Sequence, residues 1–356
     1  MLRILTIFLA TASFLLADSP GAKPSFTVGW SVYAGWTPYH YLMQSGIMRK
    51  WADKYGITIK VQRFDYAPSL DAFVAKNIDA CTMTNMEALD MPAASGVPTT
   101  AIIIGDYSNG NDALLVRNGL QMKDLPGKKL LLVQKTVSEY LLDRALTMNG
   151  MRDQIKQVRL INTSDSDIAT AFLSDNSAAA TVTWKPLVSQ IVKQKGITSL
   201  FNSSQIPGEI LDLTVVRTDI LNRPDGSGQR FAKALAGAWY ELMARMSAPG
   251  PETDKVLTAI AGGSQDTLAS YKEQLSTTKL FYTPQSAVAF GASATLREKM
   301  ALVRQFCFEH GLLGTNTKSV DEVAIGYPDG TVQGKPDRVR LRFELTYMKM
   351  AAEGKL

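Results

Sequence analysis

The sequence predicts an α/β protein built from two units. Short apolar strands alternate with helical stretches along most of the chain, the pattern of mostly parallel sheets covered by helices on both faces. The pattern restarts near residue 125, and a strand at 211–216 returns from it, so the second unit is inserted into the first. Polar residues gather where strands end, above all between Asp79 and Asp112, and in open α/β sheets that edge is where small molecules bind.

The elements follow in order. A strand over 26–30 runs into the aromatic loop 31–40, and a helix continues through Lys54 to its stop at Tyr55 and Gly56. Alternation marks a strand at 57–61. A helix at 69–76, a strand at 79–83, a helix at 86–94 and strands at 101–105 and 113–116 complete the first run. After the Pro126-Gly127 turn come a strand at 130–133, an amphipathic helix at 137–148 stopped by Asn149 and Gly150, a strand at 158–161, a helix at 166–173 and a strand at 178–182. A further helix opens at 184–186. Beyond Gln229 the chain reads as helical at 231–246, 253–261, 267–277 and 285–310, and the tail from Thr315 as a strand, the turn 328–330 and a strand at 339–343.

Residues 1–22 combine a positive charge at Arg3, an apolar run over 4–16 and small residues up to Ala22, the make-up of a secretory signal peptide. Cleavage after Ala17 or after Ala22 fits equally. The run is shorter than the about 20 residues of a membrane-spanning helix, and no cysteine lies near the cleavage region to carry a lipid. Cys81 and Cys307 are the only cysteines, so no dense disulfide framework holds the fold; one bridge, or two buried thiols, remain open. The net charge of +5 is scattered without a basic run, which argues against nucleic acid as a partner.

His40 and His310 stand far apart without His or Cys at ligand spacing, so no metal site is expected, and no nucleophile elbow, P-loop or dinucleotide fingerprint appears. No cofactor and no enzymatic activity are expected. The binding candidates lie at strand ends. Tyr33 and Trp36 share one loop with Tyr39 and offer a ligand wall or packing of the loop on its own helix. Thr82, Thr84 and Asn85 either cap a helix or face a cleft. Ser138 and Glu139 open the helix at 137–148, where a cap and a favourable dipole explain them equally well. Trp184 ends a strand. Asp112, Glu209 and Asp212 flank the two chain crossings, where each could instead serve a turn or pair with a lysine. Together the carboxylates and indoles form an acidic, aromatic set that suits a cation.

Several segments resemble the periplasmic solute-binding proteins of ABC transporters in the nitrate/sulfonate/taurine class: the loop 35–38 (GWTP), 79–85 (DACTMTN), the turn 124–128 (DLPGK), 138–142 (SEYLL) and 182–186 (VTWKP). The stretches 81–86 (CTMTNM), 105–112 (GDYSNGND) and 207–213 (PGEILDL) look more narrowly like the subgroup encoded beside urea carboxylase and guanidine-degradation genes. The resemblance implies a two-lobed, type II periplasmic binding fold with a hinge. After a signal peptide over 1–22, the first lobe takes 24–113, the second 114–211, the return to the first lobe 212–314, and a C-terminal extension with strands 315–356. It also implies a monomer that docks to an inner-membrane permease. Many relatives carry His where Glu139 stands, and Asn or Asp where Lys185 stands; the first departure favours a cationic ligand and the second opposes it unless Lys185 points away.

The expected activity is periplasmic capture of a small planar nitrogen compound. Guanidinium comes first, with rim partners Asp112, Glu139, Glu209 and Asp212, neutral partners Asn85, Thr82 and Ser138, and faces supplied by Trp36 and Trp184. Urea, and an anion such as taurine, an alkanesulfonate or nitrate, are the alternatives. An enzyme of the pyrimidine-synthase kind would need clustered histidines or a cysteine-rich iron motif; a ligand sensor is not excluded by sequence.

Overall fold

The computed structural model describes residues 23–356, so the signal-peptide segment 1–22 lies outside the described residues. The first run comprises β1 (Ser25–Trp30), α1 (Pro38–Gln44), α2 (Ile47–Lys54), β2 (Thr58–Arg63), α3 (Tyr66–Val74), β3 (Ala80–Thr84), α4 (Asn85–Ala88) and β4 (Thr99–Ser108). The second comprises β5 (Ala113–Arg117), β6 (Lys129–Leu132), α5 (Val137–Met148), β7 (Arg159–Asn162), α6 (Ile168–Ser174), β8 (Ala178–Thr183), α7 (Leu187–Ile191) and β9 (Ile197–Asn202). The chain then returns through β10 (Leu211–Arg217), α8 (Thr218–Leu221), α9 (Ser227–Ser247), α10 (Pro251–Gly262), α11 (Leu268–Ser276), β11 (Thr278–Leu280), α12 (Pro284–Gly291) and α13 (Ala294–Glu309). It closes with β12 (Ala324–Gly326), β13 (Val332–Gln333), β14 (Val339–Phe343) and α14 (Thr346–Ala352).

Two sheets result. One has the order β13-β12-β14-β4-β10-β3-β1-β2, with β11 added against β4; the other has the order β7-β6-β8-β5-β9. Both are mixed. The parallel pairs β1–β2, β1–β3 and β14–β4 meet β10, which runs antiparallel to β3 and β4, and β5 is antiparallel to β8 and β9. The strands that carry the chain into and out of the second sheet are therefore the antiparallel ones. This direction places the start of β10 at the same edge as the ends of β1, β3 and β4.

Two single helices expected from the pattern are each split. Gly46, with φ +78°, ends α1 and starts α2, because that left-handed backbone cannot continue a helix. The stretch 285–310 divides at Ala292 and Ser293; the seam lies beside Gly291, where a Cβ would come within 2.6 Å of Leu345. β9 and the short β11 were not expected, and β4 is longer than the predicted 101–105. β4 and β10 bury every residue but Tyr107, and their apolar centres join the main core, which also takes in Leu132, Val182 and Phe201 of the second sheet. Among the described residues, no helix is long and apolar enough to cross a membrane.

Candidate ligand-binding site

The strand ends converge on one cavity lined by Tyr33, Trp36, Tyr66, Thr84, Asp112, Val137, Trp184, Ile210 and Asp212. Each arrives by its element. Tyr33 and Trp36 sit on the loop after β1, folded back by Thr37, whose amide and hydroxyl both bond the Tyr33 carbonyl at 2.8 Å. Tyr66 opens α3, Thr84 ends β3, and Ile210 and Asp212 enter β10. From the second sheet, Trp184 follows β8 and Val137 begins α5. The Trp184 indole N–H donates to the Val32 carbonyl at 3.2 Å and the Val137 amide to Glu87 at 2.8 Å, so hydrogen bonds cross between the two halves at the cavity wall.

The aromatic rings form a chain around it. Tyr33 and Trp36 lie 5.0 Å apart, Trp36 and Tyr66 5.3 Å, and Tyr66 and Trp184 5.8 Å with their planes at 75°. These are tilted and edge-on arrangements that ring quadrupoles favour. The free volume is ≈ 10 Å³, about the space of a single water. A solute larger than water could enter only if walls from the two sheets parted.

Buried carboxylates surround the rings. Asp106 is 0 % exposed, Asp112 and Asp212 3 %, and Glu87 0 %. Asp106 accepts from the Tyr33 hydroxyl at 3.0 Å, Asp112 from the Ser108 hydroxyl at 2.5 Å, and Glu87 from the Val137 amide at 2.8 Å and from the Thr84 hydroxyl. Burial pushes the carboxyls of Asp106 and Asp112 up to about 7. Burial, with the neighbouring Asp106 charge, pushes Asp212 well above the usual carboxylate range. Burial also raises Glu87. Among the described residues, no Lys, Arg or His lines the cavity.

Tyr33, Trp36, Thr84, Asp112, Trp184 and Asp212 thus share the cavity wall, and Thr82, Asn85, Ser138, Glu139 and Glu209 do not. Glu209 is 2 % exposed and spent on an ion pair: Arg144 Nε donates at 2.8 Å, the Tyr140 hydroxyl at 2.6 Å, and Lys299 lies at 3.5 Å. Glu139 turns outward, accepting from the Lys135 amide at 2.9 Å and facing His310 Nδ1 at 3.5 Å. Neither carboxylate lines the cavity. Asn85 splints the returning chain, donating to the Glu209 carbonyl at 3.0 Å and accepting from the Leu211 amide at 2.9 Å. Thr82 is buried within β3 opposite Thr214, and Ser138 is buried on α5; neither reaches the wall.

Lys185 points away. Its ammonium reaches Glu273 and, at 3.0 Å, the Thr277 hydroxyl, both on the α11 side, which removes the objection it raised to a cationic ligand. Tyr66, Val137 and Ile210 were missed by sequence reasoning because isolated apolar or aromatic residues at element starts look like ordinary core. Asp106 sits inside the recognised 105–112 stretch, but strand periodicity gives no sign that its carboxylate is buried.

The family model "NMT1/THI5 like" matches residues 117–245. No curated protein matches the chain. Among solved structures, the periplasmic aliphatic sulphonate-binding protein SsuA of Escherichia coli is 16 % identical, with a TM-score of 0.63 over 82 % of this chain and 94 % of that one. The periplasmic nitrate-binding protein NrtA of Synechocystis PCC 6803 is 11 % identical, with a TM-score of 0.57 over 92 % and 98 %. The Candida albicans CA3427 product, described as exhibiting the generic periplasmic binding protein structural fold, is 12 % identical with a TM-score of 0.58 over 80 % and 95 %. Two of these three are named for a solute they bind and none for a reaction, and with its two sheets the chain has the periplasmic binding protein fold.

Proposed function

We propose that the protein is the periplasmic substrate-binding component of an ABC importer and captures a small planar nitrogen cation, guanidinium first, between two lobes. The lobes are 24–113 with 212–314, and 114–211; residues 315–356 extend the first, residues 1–22 direct export, and a monomer delivers the ligand to an inner-membrane permease. One observation carries the ligand class. The cavity pairs Asp112 and Asp212 with the rings of Trp36, Tyr66 and Trp184, and no cationic side chain lines it. A planar cation offers N–H donors at its rim and charge to the ring faces. Without a ligand, carboxylates in such a place cost desolvation energy and gain no stabilising partner.

The names of the structural neighbours favour an anion such as a sulfonate or nitrate. An anion needs Arg, Lys or free amides, and here it would meet buried acids. Urea, being neutral, requires donors from the wall, which protonated carboxyls can supply, so it is the closer competitor. Parallel calorimetric titration of the mature protein with guanidinium, urea, taurine and nitrate decides among them. Guanidinium should bind with the highest affinity; binding of taurine or nitrate with no response to guanidinium overturns the reading.

A further inference from the structure

Two of the buried carboxylates at the site stand directly opposite one another on neighbouring strands. In the β4–β10 ladder Asp212 is the register partner of Asp106, and side chains so placed leave the same face with Cβ atoms about 5 Å apart. Like charges in that position destabilise a sheet, and more so away from water. Both residues are nevertheless buried, and each keeps one oxygen, Oδ2, with no hydrogen-bond partner. Asp212 lines the cavity. Asp106 Oδ2 is seated against the bare backbone of Gly35, where a Cβ would lie 2.1 Å from it.

The titratable groups that face the pair from the surrounding elements are Asp112, Tyr33, Tyr66, Tyr271 and Tyr282. Every one is acidic, and none supplies positive charge. Two carboxyls in this setting retain a proton between them, because ionising both would leave two adjacent negative charges without water or a counter-ion.

Building on the cation-binding reading above, we propose that the Asp106–Asp212 pair is a proton-for-cation exchange site: it holds one proton when the cavity contains no cation, and the arriving cation displaces that proton to solvent. Charge balances in the exchange. The carboxyl O–H gives its proton to the buffer, and the ligand's positive charge and N–H donors take its place at the freed oxygen. Asp106, which does not line the cavity, acts through Asp212 as a positioning residue. The device also selects for charge: a neutral amide such as urea can accept or donate around the retained proton but cannot replace it. Acidification of the surroundings then weakens capture by competition of protons for the site.

The test is titration of guanidinium into the mature protein in buffers of differing ionisation enthalpy, from pH 5.5 to pH 8.5, with urea as the neutral arm. The expected result is release of about one proton per guanidinium at the acid end, with affinity rising about tenfold per pH unit there and levelling above the pair's titration. Asp106→Asn should abolish the release and flatten the pH profile. If that variant does not fold, the pH dependence of the wild-type protein stands as the measure. Guanidinium binding with no proton release and no pH dependence overturns the exchange while leaving the cation reading intact. Absence of guanidinium binding throughout the range overturns both.

Discussion

At the scale of single residues, carboxylates that line the cavity differ from carboxylates that hold the fold, and residue type alone does not tell them apart. Glu209 and Asp212 lie three positions apart in the 207–213 stretch, and both looked like rim candidates. Asp212 is the second residue of β10 and lines the cavity; Glu209 lies before the strand and meets Arg144 at 2.8 Å. Removing one partner of a buried ion pair leaves an uncompensated charge, at a cost of about 3 kcal/mol. Glu209→Gln should therefore lower the unfolding free energy by about that amount while leaving guanidinium affinity of the folded protein within about twofold, a change of less than 0.5 kcal/mol. Chemical denaturation and titration of the same variant check both halves. A large loss of affinity without loss of stability would return Glu209 to the ligand rim. The sequence made Trp36, Trp184, Asp112 and Asp212 legible because strand ends and chain crossings are visible in the alternation of apolar runs. It hid the difference between Glu209 and Asp212 because that depends on Arg144, which the chain brings in from α5.

At the scale of elements, the packing of α5 against α13 explains why Glu139 turns away from the cavity. α5 packs against α13: Tyr140 meets Phe306 edge-on at 5.1 Å, and His310, just past the end of α13, lies 3.5 Å from Glu139 and 3.6 Å from Asp143. Partial burial works against the charged imidazole, but the two carboxylates outweigh it and raise His310 to about 9; in return, Glu139 falls below its usual range despite its own burial. Since the folded value exceeds the unfolded value of about 6.5, this contribution is fully present below pH about 6.5 and is lost as pH rises through about 9. In thermal denaturation the wild-type protein should lose stability across that window, and His310→Gln should remove this part of the slope. An unchanged slope in the variant would show that His310 does not carry charge in the seam. The break between α12 and α13 was not legible in the sequence: it lies beside Gly291, which Leu345 of the tail approaches across the fold.

At the scale of the molecule, the cavity belongs to neither sheet alone. Asp212, Tyr33, Trp36 and Tyr66 come with the nine-stranded sheet and Trp184 and Val137 with the five-stranded one. The sequence revealed this inserted arrangement through its restart at residue 125 and its returning strand; it could not reveal that β10 runs antiparallel, and that reversal is what brings Asp212 opposite both Thr84 and Asp106. A ligand held by both walls stabilises the union of the halves as well as each half's own wall. By mass action, guanidinium at 100 times its Kd should add about 2.7 kcal/mol to the stability of whatever unit holds the complete site. If the walls act jointly, scanning calorimetry with guanidinium should move the whole unfolding transition upward as one cooperative event, including the melting of the second sheet, which contributes only Trp184 and Val137 to the wall. A scan that resolves two transitions, with guanidinium raising one and leaving the other in place, would confine the ligand to a single lobe. Trp184→Ala sharpens the comparison: it deletes a ring that meets Tyr66 and the 3.2 Å bond to Val32 together, so it should lower the ligand-induced shift in both sheets alike, because both contacts bridge the two walls.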